Sequence, residues 1–248
     1  MEFRTNDRVS ITLGLGALLG DLWGWRAVFL SASGIGVLAL GVQVATMPPL
    51  PATSSRSLRS LADALRRPGI GLGLETVLFV ISGHFAGFTY VRPFLEQVPR
   101  LGVDMISLTL LGFGMAGFLG NLAGGAIAER SASLAIALPA LLLVAATLAL
   151  LVAGAVAELS MVALAAWGLA FGALPVAVQT WNVRMAGEDV ESANALIVVA
   201  FQVAIAAGAV IGGALVDSAG SSAAIAYCGA AVLVGGLLML ARGRRVEH

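Results

Sequence analysis

The chain has 248 residues, 59% of them hydrophobic and 11% charged, and its mean hydropathy is +0.96. A soluble domain of this size needs a more polar exterior, so the composition excludes one and specifies an integral membrane protein whose first partner is the lipid bilayer. Net charge is zero, with 14 basic residues, all Arg, against 14 acidic ones, which removes the electrostatic footprint of a nucleic-acid binder.

Apolar stretches fill the chain from Val9 to Ala241. The first, residues 9–22, is short: as a helix it reaches ~21 Å against a hydrocarbon core of ~30 Å. It either spans with Arg8 snorkelling from a thinned bilayer or lies at the interface. It lacks a small-residue cleavage site and runs into Asp21, unlike a signal peptide. Trp23 and Trp25 follow as interfacial anchors. Residues 27–47 are long enough to span and stop at Pro48-Pro49. Residues 48–68 are the extended polar segment and read as a linker. Within it Leu58, Leu61 and Leu65 recur at helical spacing with Arg59 and Arg66 on other faces, a short amphipathic surface helix capped by Ser57 and stopped by Pro68. Further spans are expected at 69–95, 105–127, 134–155, 160–181, 193–216 and 223–241, making an all-α membrane protein.

Threading these spans alternately collects Arg4, Arg8, Arg56, Arg59, Arg66, Arg67, Arg130, Arg184, Arg242, Arg244 and Arg245 on one side. The other side keeps Arg26, Arg92 and Arg100. Eleven against three places the linker and the C-terminus in the cytoplasm, which for a bacterial protein means the inner membrane. The pairs Gly83 with Gly87, Gly120 with Gly124 and Gly208 with Gly212 are GxxxG spacings that let helix backbones approach within lipid.

Polar groups at membrane depth are costly without partners and are the functional candidates. Glu75 and His84 lie nine residues apart on one helix, hence on opposite faces and ~13.5 Å apart along its axis. Both are proton-coupling candidates, and His84, with a reference pKa of ~6.5, is the deeper. Gln179 and Asn182 share one face below Pro175, where a kink with freed carbonyls near Phe171 is expected. Phe88, Asn121 and Gln202 complete the substrate-pathway candidates. For each amide, interhelical hydrogen bonding is the competing reading. Tyr90 and Arg92 are accounted for by an aromatic belt and a solvated charge. For His84, the expectation is that His84→Ala in a full-length relative impairs transport more than folding.

No Walker A loop, HExxH or GxSxG occurs, so neither ATP hydrolysis nor a familiar hydrolase is expected. Ser82 and His84, two apart on a helix, cannot face each other as nucleophile and base. Cys228 is alone, which excludes an internal disulfide and a cysteine metal cluster. No cofactor, metal or catalytic residue is expected.

The segment Trp167-Gly168-Leu169-Ala170-Phe171-Gly172-Ala173-Leu174-Pro175, with Gln179-Thr180-Trp181, resembles the tenth helix of drug:proton antiporters of the major facilitator superfamily. Phe201-Gln202-Val203-Ala204-Ile205-Ala206-Ala207-Gly208-Ala209, running into Gly212-Gly213 and Val216-Asp217, is similar to the eleventh. Gly83-His84-Phe85-Ala86-Gly87-Phe88-Thr89-Tyr90, with Arg92-Pro93-Phe94-Leu95-Glu96, resembles the seventh, in the branch of sugar and purine-ribonucleoside efflux permeases. Gly124-Gly125-Ala126-Ile127-Ala128-Glu129-Arg130 resembles the loop motif between helices eight and nine, with Glu where Asp is commoner. Gly16-Ala17-Leu18-Leu19-Gly20 and Gly24-Trp25-Arg26-Ala27-Val28-Phe29 look like the end of helix five and its turn into helix six, although helix five usually carries a Pro and none occurs there.

The resemblance implies a C-terminal six-helix half over residues 69–248, a linker over 48–68, and the last one and a half helices of the N-terminal half over 1–47. It implies proton-coupled efflux of sugars, nucleosides or drugs by rocking of two halves around a midplane site. It also implies that helices one to four have no counterpart here, so that the fragment is inactive alone. The alternative is a non-transporting membrane module that pairs with a separate half or with a second copy.

Overall fold

The structure, a computed structural model, describes residues 25–46, 58–187 and 189–247. All regular elements among them are helical: α1 Trp25–Thr46, α2 Leu58–Leu65, α3 Pro68–Phe88, α4 Val91–Gln97, α5 Val103–Arg130, α6 Ala132–Ala153, α7 Ala157–Ala186, α8 Val190–Ala219 and α9 Ser221–Leu238. A wider π-type turn, Met239–Gly243, carries α9 into α10, Arg244–Glu247. Within hydrocarbon a segment must satisfy its own backbone, which is why such apolar runs become helices. Seven of the described helices are long and apolar enough to cross a membrane. The stretch 9–22, the anchor Trp23, the side chain of Trp25, the stop at Pro48-Pro49 and the cap Ser57 lie outside the described residues.

The chain divides into two compact units, Met1–Ser55 and Arg56–His248. The first contributes α1, whose 22 residues span ~33 Å. In the second, α3 packs against α8 and α9, α7 against α5 and α6, and α9 joins α6, while α3 and α7 meet between these layers. Its core is built from Trp167, Trp181, Phe94, Ile81, Leu143 and Leu164, all buried.

Residues 69–95 do not form one span. α3 ends at Phe88 and α4 begins at Val91, with Tyr90 at φ −111 and ψ 16 between them. The cause is Pro93, which has no N–H for the carbonyl four residues earlier and whose ring would strike it. The break turns Tyr90 inward: its hydroxyl donates to the Ala209 carbonyl on α8 at 3.1 Å, so it ties two helices together rather than marking an interfacial belt. Arg92, by contrast, is an exposed partner of Glu96 at 2.9 Å. α7 continues through Pro175.

The three GxxxG pairs sit where backbones meet. A Cβ at Gly124 would come 2.7 Å from the Ala173 Cα on α7, and one at Gly83 would come 3.0 Å from the Cys228 carbonyl oxygen on α9. Gly208 and Gly212 lie against the carbonyls of Ser82 and Ala86 on α3. With lipid as apolar as any side chain, this close approach is the main glue available to the bundle.

At one end the bundle is closed by arginines. Arg67 donates through Nη1 to the Ala186 carbonyl, the last of α7, and through Nη2 to Asp189 Oδ2 at 2.6 Å. Arg184 Nη2 donates to the carbonyls of Ala128 at 2.7 Å and Glu129 at 3.0 Å, at the end of α5. Each guanidinium satisfies carbonyls that have no helical partner and meets the negative end of a helix dipole. Arg67→Ala is therefore expected to lower stability by about 1 kcal/mol, read as a fall in the thermal midpoint in detergent, while Arg66→Ala, an exposed neighbour, leaves the midpoint within error.

Candidate functional site

His84 is buried where α3, α5 and α7 converge. Its Nδ1 accepts the indole N–H of Trp167 at 3.0 Å. Indole nitrogen can only donate, so Nδ1 carries no proton and the ring proton resides on Nε2. Both faces of the imidazole are covered: Phe171 stacks at a centroid distance of 3.4 Å and 3°, and Phe88 at 5.2 Å and 14°. Phe113 extends the stack, 4.7 Å from Phe88, and Phe85 stands edge-on to His84 at 5.0 Å and 88°. The four phenylalanines are half-buried, so this is an aromatic wall with a single polar ring set into it.

Local sequence explains the assembly. His84 and Phe88 are four apart on α3, and Trp167 and Phe171 four apart on α7, so each helix presents two rings on one face. Gly87 lets the Trp167 ring lie on the α3 backbone, since a Cβ there would come 2.7 Å from Cη2 of the indole. Phe88 was legible as a candidate. Phe85, Phe113, Trp167 and Phe171 were missed as site residues, although the doubled i, i+4 aromatic spacing was the signal for Trp167 and Phe171.

The other candidates lie elsewhere. Asn182 is buried and donates to Asn194 Oδ1 on α8 at 2.7 Å, an interhelical bond. Gln179, its expected face-mate, is exposed, as are Asn121 on α5 and Gln202 on α8. Glu75 is exposed at the arginine-rich end, 4.0 Å from Arg242 Nη1, and lines a cavity of about 280 Å³ with Arg66, Arg67 and Arg242. Gly124 is a packing residue against α7, whereas Glu129 and Arg130 are exposed at the end of α5. The Ser82 hydroxyl bonds its own helix at the Phe79 carbonyl, 3.3 Å away, not His84.

The sequence profile described as Major Facilitator Superfamily matches residues 9–188. The purine ribonucleoside efflux pump NepI of Salmonella paratyphi B is 35% identical over 234 residues, covering 94% of this chain and 59% of its own length. NepI of Shigella dysenteriae serotype 1 is 34% identical over 232 residues, with the same coverages. The chain thus spans a little under three fifths of the relatives it matches. With seven apolar helices and a profile match over most of its length, the chain belongs to the Major Facilitator Superfamily.

Proposed function

We propose that this protein takes part in proton-coupled efflux of purine ribonucleosides across the bacterial inner membrane, with its arginine-rich end and its C-terminus in the cytoplasm. The observation that carries the reading is the aromatic wall around His84. A nucleobase offers a π-face, and stacking on aromatic side chains is worth about 1–3 kcal/mol per base where it has been measured in nucleic-acid complexes. Likeness to the efflux pump NepI supports the same substrate class. The exposed amides of Asn121, Gln179 and Gln202 within long apolar helices also support a pathway, because an amide turned to lipid lacks the partners that water or a facing helix supplies.

Transport by rocking needs two walls. The bundle α3–α9 supplies one, and the other comes from residues outside it or from a partner half. Proton coupling is assigned to Glu75, the water-exposed titratable group of α3, with Arg242 as its counter-charge. In everted membrane vesicles, an imposed pH gradient is expected to drive accumulation of radiolabelled inosine. Glu75→Gln is expected to abolish the gradient-driven accumulation while retaining inosine counterflow. Gradient-driven accumulation at the wild-type level in Glu75→Gln would refute the assignment, and wild-type vesicles that move other solutes but exclude inosine would refute the substrate class.

A further inference from the structure

We infer that His84 is a nucleobase reader, presenting Nε2–H from within the aromatic wall as a fixed in-plane hydrogen-bond donor. The inference rests on the purine-ribonucleoside reading above and adds the atom that recognises the base. Trp167 fills Nδ1 and so fixes the tautomer. No other hydrogen bond engages His84, yet among the described residues no side-chain nitrogen or oxygen sealed from the surface lacks a partner. His84 is 1% exposed, and the sliver of surface it keeps includes Nε2, the ring nitrogen without a partner. Phe171 and Phe88 lie parallel to the imidazole, at 3° and 14°, so Nε2–H is directed within the plane of the stack rather than across it. A base slotted edge-on meets the donor with an in-plane ring nitrogen or carbonyl oxygen, groups that purines carry and ribose lacks. A site built around one such donor discriminates strongly, because a ligand without the acceptor leaves the donor unpaired.

His84→Ala cannot test this, since it also strips the acceptor from the buried Trp167 N–H. Two amides separate the roles. Gln reaches the position of Nε2 and restores a donor there but leaves Trp167 without its acceptor. Asn places its oxygen near Nδ1, keeps Trp167 satisfied and ends short of the wall. The experiment measures the inosine KM in everted vesicles and the thermal midpoint of the purified protein for wild type, His84→Gln and His84→Asn. The expected result is a crossed pattern. His84→Asn keeps the midpoint and raises KM about tenfold, the loss of one good hydrogen bond. His84→Gln lowers the midpoint but keeps KM within about threefold. The reverse pattern, KM preserved by Asn and lost by Gln, would make His84 merely the acceptor for Trp167 and overturn the inference, as would equal KM effects in both. Failure of the wild type to move inosine would instead strike the underlying functional reading.

Discussion

Gly120→Val is expected to remove folded protein from the membrane. A Cβ at position 120 would collide with the Leu169 carbonyl oxygen, and would lie 2.8 Å from its carbon and 3.1 Å from the Leu169 Cα. All three are backbone atoms of α7, which no rotamer change can move aside. The strip continues in both directions. Gly124 meets Ala173, while Gly168 and Gly172 on α7 lie against the carbonyls of Phe113 and Gly117 on α5. Helix association in lipid depends on dispersion contacts, and a gap of ~0.5–1 Å forfeits a quarter to a half of each contact's well. Overpacking a soluble core costs ~1–3 kcal/mol; forcing two backbones apart along several turns puts this variant at or beyond the upper end. The readouts are the amount of membrane-inserted protein and a monodisperse elution profile, both expected to be lost. Gly112→Ala and Gly114→Ala, where a Cβ meets open space, are expected to behave as wild type. Normal yield and elution of Gly120→Val would mean that α5 and α7 do not meet along this strip.

Trp167→Ala is expected to be the most damaging change at the site itself. Trp167 is fully buried, packs on Gly87 and holds His84 through the 3.0 Å bond. Truncating a buried Trp in a soluble core costs about 3–5 kcal/mol. In lipid the transfer part of that cost shrinks while the lost packing remains, so about 3 kcal/mol is expected here, with His84 left unpaired in addition. The thermal midpoint should fall and inosine transport disappear together. Trp167→Phe, which keeps the aromatic body and deletes the N–H, should fold and lose mainly the fixed tautomer of His84. A Trp167→Ala protein with an unchanged midpoint would contradict the burial described for α7.

The parts of the fold that were legible in the sequence are those with a local signature. Continuous apolar runs marked the spans because a helix in hydrocarbon needs ~20 such residues, and the GxxxG spacings marked where backbones touch. The break after Phe88 was misread as a single span because Phe94 and Leu95 continue the apolar character past Pro93; steric exclusion at Pro93 outweighed hydropathy. At the site, His84 and Phe88 stood out by residue type. Their partners on α5 and α7 did not, because Trp167 is 83 residues from His84 and a pairing over that separation leaves no periodicity to read. For the same reason the amide pair of Gln179 and Asn182 dissolved. Helical spacing put them on neighbouring positions, but Asn194 on α8 captured Asn182 and left Gln179 exposed.

The most direct test of the account is the cargo. Everted vesicles containing the protein are loaded by a pH gradient with radiolabelled inosine in the presence of excess unlabelled guanosine, cytidine or ribose. Guanosine, with a stacking purine and in-plane acceptors, is expected to abolish labelled uptake, cytidine to reduce it weakly, and ribose to leave it unchanged. Uptake no greater than in empty vesicles would contradict transport by this chain, and equal displacement by ribose and guanosine would contradict a nucleobase-reading site on α3 and α7.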